Sequence, residues 1–278
     1  MAGHPEISNM ALFCDFENIA LGVRDAKYAS FDIRKVLERL LLKGSIVVKK
    51  AYCDWDRYKE FKKTMHEASF ELIEIPHVRQ SGKNSADIRM VVDALDLCYT
   101  KSHVDAFVII SGDSDFSPLV SKLRENNKYV VGIGVRDSTS DLLSANCDEF
   151  IFYDDLVRET EAKKTRASRK ATPKAAQPGA APKTPAAKTD DDKRQEALDF
   201  IVETIEALAA ERGDEEKLWG SMVKQTMKRR RPGFNEASYG YKSFRDLVDD
   251  AQKKKLLTVI SDERPGQYAL RLPHGVDE

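Results

Sequence analysis

The chain has 278 residues, of which 41% are hydrophobic and 33% charged; 45 Lys and Arg stand against 46 Asp and Glu, for a formal net charge of −1. That length holds about two domains of ordinary size. No run approaches about 18 apolar residues, and the N-terminal MAGHPEISNM lacks a basic stretch followed by an apolar one. A membrane span and a secretory signal are therefore not expected, and the cytoplasm is the expected location. Cys14, Cys53, Cys98 and Cys147 form no CxxC pair, so they read as reduced and mostly buried thiols rather than zinc ligands.

The first half alternates apolar runs with helical patterns. Residues 10–15 (MALFCD) are a short apolar run ending in an acid. Helical spacing over 31–44 precedes a β-branched run at 45–52. A helix is predicted over 55–70, a strand over 71–78, and a helix over 85–101 opened by Ser85. A buried strand at 105–116 runs into the acidic turn GDSDF. Then come a helix at 117–126, a buried strand at 129–135, a short helix at 139–146 and a last strand at 149–154. Strands alternating with helices of this length predict an α/β domain over residues 1–160, with a mainly parallel sheet covered on both faces. Gly132 and Gly134 form only a short GxG inside a strand and read as a packing feature.

Composition changes at 161–191, which is rich in Ala, Pro, Lys and Thr. Such a stretch cannot assemble a core and reads as a linker. From 163 to 188 it carries eight basic residues and no acid, so it also attracts phosphates. Residues 192–275 form the second ordered segment. Helices are predicted at 190–213, with acids in the first turn and Gly213 at the end, at 217–230 and at 241–257. Residues 257–272 read as a hairpin around a Pro-Gly turn. Three helices and a hairpin are winged-helix composition.

The chemistry lies in where the carboxylates fall. Ligands of a parallel α/β sheet bind outside the carboxyl ends of its strands. Asp15 ends the first strand and is followed by Glu17 and Asn18. Asp113 and Asp115 follow the strand at 106–111. Asp87 lies in the first turn of a helix, and Asp137 follows the strand at 129–135. Each has a plain alternative as a turn or capping residue, Asp115 above all; Asp93 and Asp96, deeper in the helix, read as structural or solvated. Several acids on one rim repel one another and need a cation. Oxygen donors without His or Cys suit Mg²⁺ or Mn²⁺, and phosphodiester hydrolysis is the natural reaction class. No P-loop, GxGxxG or HExxH is present, and the hydroxyls of Ser111 and Ser114 have no His partner.

The motifs DFENI (15–19), KNSADIRMVVDA (83–94), SGDSDFSPLV (111–120) and GIGVRDST (132–139), taken in this order, resemble the NYN family of PIN-like nucleases. The resemblance implies a PIN-like three-layer α/β/α fold and metal-dependent RNA cleavage. It implies that Asp15, Asp87 and Asp113 are catalytic and metal-binding, with Asp115 joining the metal set and Asn18 in support. Residues 229–251 (RRRPGFNEASYGYKSFRDLVDDA) and 266–272 (GQYALRL) resemble the OST-HTH (LOTUS) domain, a small winged-helix module, which implies binding of single-stranded or structured RNA.

The supporting RNA contacts expected from the residues are Lys83 and Asn84 in the polar loop before Asp87, and Ser138 and Thr139 ahead of a short helix. In the second module they are the basic run Lys228, Arg229, Arg230 and Arg231, with Tyr239 nearby. The same residues allow three readings. One is a Mg²⁺- or Mn²⁺-dependent endo- or exoribonuclease. The second is a non-catalytic RNA-binding regulator retaining the fold. The third is a phosphohydrolase of small esters, disfavoured because Glu17 stands where a DxD would place its second Asp. No protein partner follows from the sequence, and self-association stays open.

Overall fold

In the computed structural model, residues 7–75, 85–170, 190–213, 217–262 and 267–273 are described, with 162–170 described by backbone alone. The chain divides into two units, Met1–Thr172 and Pro173–Glu278.

The first unit runs β1 (Asn9–Asp15), α1 (Phe16–Asp25), α2 (Ile33–Lys43), β2 (Ser45–Cys53), α3 (Lys59–Glu67), β3 (Glu71–Glu74), α4 (Ser85–Thr100), β4 (Ala106–Ile110), α5 (Ser117–Glu125), β5 (Tyr129–Gly134), α6 (Asp141–Asn146), β6 (Glu149–Phe152) and α7 (Tyr153–Lys170). Every strand pairing is parallel, in the order β3-β2-β1-β4-β5-β6. Alternating side chains feed two separate cores, as the two-residue period of a strand requires. Met10, Leu12 and Cys14 pack with α1, α2 and α7 residues on one face. Ala11 and Phe13 pack with Met90, Leu119 and Leu143 of α4, α5 and α6 on the other. The result is a three-layer α/β/α domain. Its strand order reverses between β1 and β4, the place where open sheets of this kind leave a crevice at their carboxyl edge.

Three elements depart from the sequence expectation. Helix α1 follows β1 with no intervening loop, and no helix was expected over 16–25. Helix α3 starts at Lys59 rather than 55, because the Trp55 ring turns inward onto Phe16, centroid to centroid 4.9 Å. Helix α7 runs on to Lys170, ten residues into the stretch expected to be linker. Cys14, Cys53 and Cys98 are buried and all four thiols are free.

The second unit contains α8 (Asp190–Arg212), β7 (Leu218–Trp219), α9 (Gly220–Arg230), α10 (Phe244–Lys253), β8 (Thr258–Ser261) and β9 (Tyr268–Arg271). Its antiparallel sheet has the order β7-β9-β8. Leu198, Ile201, Ile205, Val223, Met227, Leu247, Val248 and Leu270 are buried and form its interior. Helix α8 stops where the sequence expects, at Gly213 with φ +86°, a left-handed position that costs glycine little. Among the described residues no helix is long and apolar enough to cross a membrane.

Candidate metal and nucleic-acid site

Asp15 is the last residue of β1 and the N-cap of α1, so strand and helix meet at one carboxylate. Its Oδ1 accepts from the Asn18 backbone N–H at 3.3 Å, and its Oδ2 accepts from the Ser111 hydroxyl at 3.0 Å. Ser111, wholly buried, continues β4 across the strand reversal and also accepts from the Asp113 N–H at 3.2 Å. The Asn18 side-chain Oδ1 accepts from the Gly112 N–H at 2.9 Å. Asp15, Asn18 and the 111–113 turn are therefore one hydrogen-bonded unit bridging β1 and β4.

Gly112 has no substitute here. A Cβ at that position would lie 2.4 Å from the Ser138 carbonyl oxygen, and the Gly112 carbonyl in turn accepts from the Ser140 N–H at 2.9 Å. Asp113 caps the 3₁₀ turn Ser114–Phe116 by accepting from the Asp115 N–H at 3.0 Å. The capping role considered for Asp115 thus belongs to Asp113, and Asp115 is exposed.

The acids are coupled. Asp15 is 7% exposed, and burial, then repulsion from Asp87 and Asp113, pushes its carboxyl up to about 7 against the pull of Asn18 and Ser111. Asp87, in the first turn of α4, is pushed up to about 6 by burial and by the charges of Asp113, Asp115 and Glu17. Glu17 thus faces the same site, where Arg57 Nη1 pairs with it at 2.9 Å. Neither Ser111 nor Glu17 and Arg57 carries a site role in the sequence reading. The signal available for Ser111 was its place at the end of the buried strand, directly before the acidic turn.

Asp137 does not join the group. Its charge is felt by Tyr28, whose hydroxyl is raised first by burial and then by its bond to Asp154. Ser138 and Thr139 point their hydroxyls at the Val135 carbonyl, at 3.4 and 2.7 Å, while Ser140 caps α6. Lys83 and Asn84 lie outside the described residues. As expected, Gly132 and Gly134 are packing residues: a Cβ would meet the Phe150 ring in one case and the Thr139 hydroxyl in the other.

Among the described residues, no three Asp, Glu, His or Cys side chains stand close enough to enclose a metal ion. The donor set nevertheless fits a hard, well-hydrated divalent ion. Asp15 is a buried carboxylate whose two bound donors are neutral, and no nearby cation lowers its pKa. Ions such as Mg²⁺ keep most of their waters and need only one or two carboxylates. An ion among Asp15, Asp87 and Asp113 would relieve the repulsion that raises Asp15 and Asp87.

In the second unit the basic run divides. Arg230 Nη2 pairs with Glu203 at 2.6 Å and its Nη1 donates to the Thr204 hydroxyl at 3.0 Å; its side chain is 12% exposed. Arg231 pairs with Glu196 at 3.4 Å and lies 4.1 Å over the Phe200 ring. Arg229 donates to the Thr226 hydroxyl at 2.9 Å, and Lys228 is exposed. Tyr239 stacks on Phe234 with centroids 5.1 Å apart.

Comparison with known proteins places these observations in a family. A solved protein of unknown function from Vibrio parahaemolyticus is 26% identical, covering 56% of this chain and 98% of that one, with a TM-score of 0.48. An uncharacterised protein of Methanocaldococcus jannaschii is 26% identical over 125 residues, 45% of this chain and 49% of that protein, so the match spans about half the relative's length. Residues 9–154 match the NYN domain, just over half of the 278 residues and the whole of the parallel sheet. NYN domains are generally nucleases that use divalent metals, and the chain belongs to the NYN domain family.

Proposed function

We propose that the protein is a metal-dependent ribonuclease of the cytoplasm that hydrolyses RNA phosphodiester bonds at the β1/β4 edge. The observation that carries this reading is the coupling of Asp15, Asp87 and Asp113 across the strand reversal of an NYN domain. Asp15, Asp87 and Asp113, with Asp115 at the exposed side, would hold Mg²⁺ or Mn²⁺. When bound, such an ion neutralises charge developing on the phosphoryl oxygens and makes water a better nucleophile.

The chain's own residues set the geometry. Ser111 and the Asn18 backbone N–H hold both oxygens of Asp15, and Asn18 ties the Gly112 backbone to α1, which fixes where Asp113 sits. Water attacking phosphorus in line with the 3′ oxygen breaks the P–O3′ bond and leaves 5′-phosphate and 3′-hydroxyl ends. Lys83, Asn84, Ser138 and Thr139 are the remaining strand contacts in this reading, Ser138 and Thr139 through exchange of their present bonds to Val135.

The second unit, in this proposal an OST-HTH-type winged helix, recruits the RNA. Lys228, Arg229 and Arg231 face phosphates and Tyr239 offers a stacking surface, whereas Arg230 braces α9 to α8. A non-catalytic RNA-binding role is the second reading, favoured by the lack of three enclosing ligands among the described residues.

Both readings meet in one assay. Labelled RNA is incubated with wild type, Asp15→Asn and Asp113→Asn in Mn²⁺, Mg²⁺ or EDTA. The nuclease reading expects metal-dependent cleavage that falls by about 100-fold or more in each variant, the scale of losing a charge-stabilising group. RNA that is bound but intact in every metal overturns it in favour of the second reading. Deletion of residues 190–278 is expected to weaken RNA binding; unchanged affinity removes the recruiting role.

A further inference from the structure

The second unit carries a cleft that lies apart from its basic run. It encloses about 340 Å³ and is lined by Trp219, Ser221, Gln267 and Tyr268, a size within the range of small-ligand sites. Its construction follows from the sheet. Trp219 ends β7 and pairs with Ala269 of β9, the residue that follows Tyr268. Gly220, the first residue of α9, lies against the Tyr268 ring, where a Cβ would come within 2.4 Å of Cε2. Only glycine lets the tyrosine approach the backbone so closely.

Two cations flank the pair. Lys217 Nζ lies 5.7 Å from the Trp219 ring centroid. The Arg245 guanidinium lies 4.5 Å over Tyr268 and also pairs with Asp249 at 2.9 Å. Ser221 and Gln267 are exposed, so a hydroxyl and an amide are free to meet an entering group.

We propose that this cleft takes one unpaired RNA base, stacked on the Trp219 indole. The Gln267 amide meets the base edge, and Lys217 and Arg245 meet the adjoining phosphates. The inference rests on the reading that this unit recruits RNA, and it names the contact. Aromatic faces accept any base, while amides pair with exposed base edges that only unstacked nucleotides present. A proline-rich peptide also uses aromatic grooves, but cations on both aromatics favour a ligand that alternates flat rings with negative charge.

The protein supplies its own probe. Of its two tryptophans, Trp55 is 1% exposed in the first unit and Trp219 lines the cleft. In full-length Trp55→Phe, emission therefore reports Trp219 alone. Single-stranded RNA octamer, titrated in EDTA so that nothing is cleaved, is expected to quench it saturably. Fully paired RNA is expected not to. Trp219→Leu should weaken octamer binding by about 5- to 100-fold, the range for one base–aromatic stack, with Trp219→Phe retaining most of the affinity. Thermal melting of both variants checks that they fold.

Octamer bound with unchanged emission, and with equal affinity in Trp219→Leu, overturns the cleft assignment and leaves RNA recruitment standing. Failure of the full chain to bind any RNA removes the recruitment reading and the inference with it. Quenching by a proline-rich peptide but not by RNA overturns it in favour of a protein ligand.

Discussion

Asp15 shows what a single residue is asked to do. A carboxyl raised from 3.8 to about 7 in the folded chain binds its proton more tightly than in the unfolded chain. Its stabilising contribution is therefore fully present below pH 3.8 and is lost as pH rises through about 7. At about 1.4 kcal/mol per tenfold change, the loss is on the order of 4 kcal/mol for this nearly buried group. Asp15→Asn keeps the shape and removes the ionisation. The variant is expected to melt several degrees above wild type at pH 8, with the difference narrowing toward pH 5 and closing only below about pH 4, while cleavage is lost. A melting difference that does not change with pH means that Asp15 carries no such burden. Mn²⁺ added to wild type should raise its melting point at pH 8 and have little effect at pH 5, where protons hold Asp15 and Asp87.

At the scale of elements, α4 matters because it carries Asp87. Its position on β2 is pinned by Asp93, which accepts from the Tyr52 hydroxyl at 2.9 Å, from Lys50 at 3.2 Å and from Arg89 at 3.1 Å. The Asp93 side chain is only 12% exposed, and its carboxyl is held below the usual range because these bonds and cations together outweigh its burial. Asp93→Ala leaves the buried Tyr52 hydroxyl without its acceptor and Lys50 with Glu71 at 3.7 Å, and is expected to cost about 2–4 kcal/mol. Chemical denaturation measures that cost; a loss below about 0.5 kcal/mol would mean that α4 is held by its apolar face alone.

The helix also shows what the sequence makes legible. Strands β1, β4 and β5 are buried on both faces, so each stands out as a nearly continuous apolar run. Helix α4 shows its period and its structural Asp93. By contrast, α1 follows β1 without a break and contains Gly22, which lowers helical propensity. Gly22 is there because a Cβ would strike the Ser138 hydroxyl, a contact set by tertiary packing alone. For the same reason Ser111 could be read only as an unpartnered hydroxyl, and the run at 228–231 looked like one basic surface. Which arginine turns inward depends on Glu203 and Glu196, some 30 residues earlier in the chain.

For the whole molecule, the near-zero net charge conceals opposed parts. The proposed cleavage edge is acidic and repels RNA, so affinity must come from basic groups elsewhere in the chain. Phosphate contacts make binding fall with salt, by a log–log slope of about −0.7 per contact on single strands. In the proposed division of labour, cleavage at subsaturating RNA should fall steeply with salt, while the rate at saturating RNA stays nearly level. Lys228→Ala should lower the slope by about 0.7 and leave the melting point within about a degree. Arg230→Ala should do the reverse, because its charge is already met by Glu203 and its removal takes away the ties from α9 to Glu203 and Thr204 of α8. Expected there is a lower melting point with an unchanged slope. If Arg230→Ala instead lowers the slope while Lys228→Ala leaves it untouched, the inward and outward assignments along α9 are exchanged and the recruiting face must be redrawn.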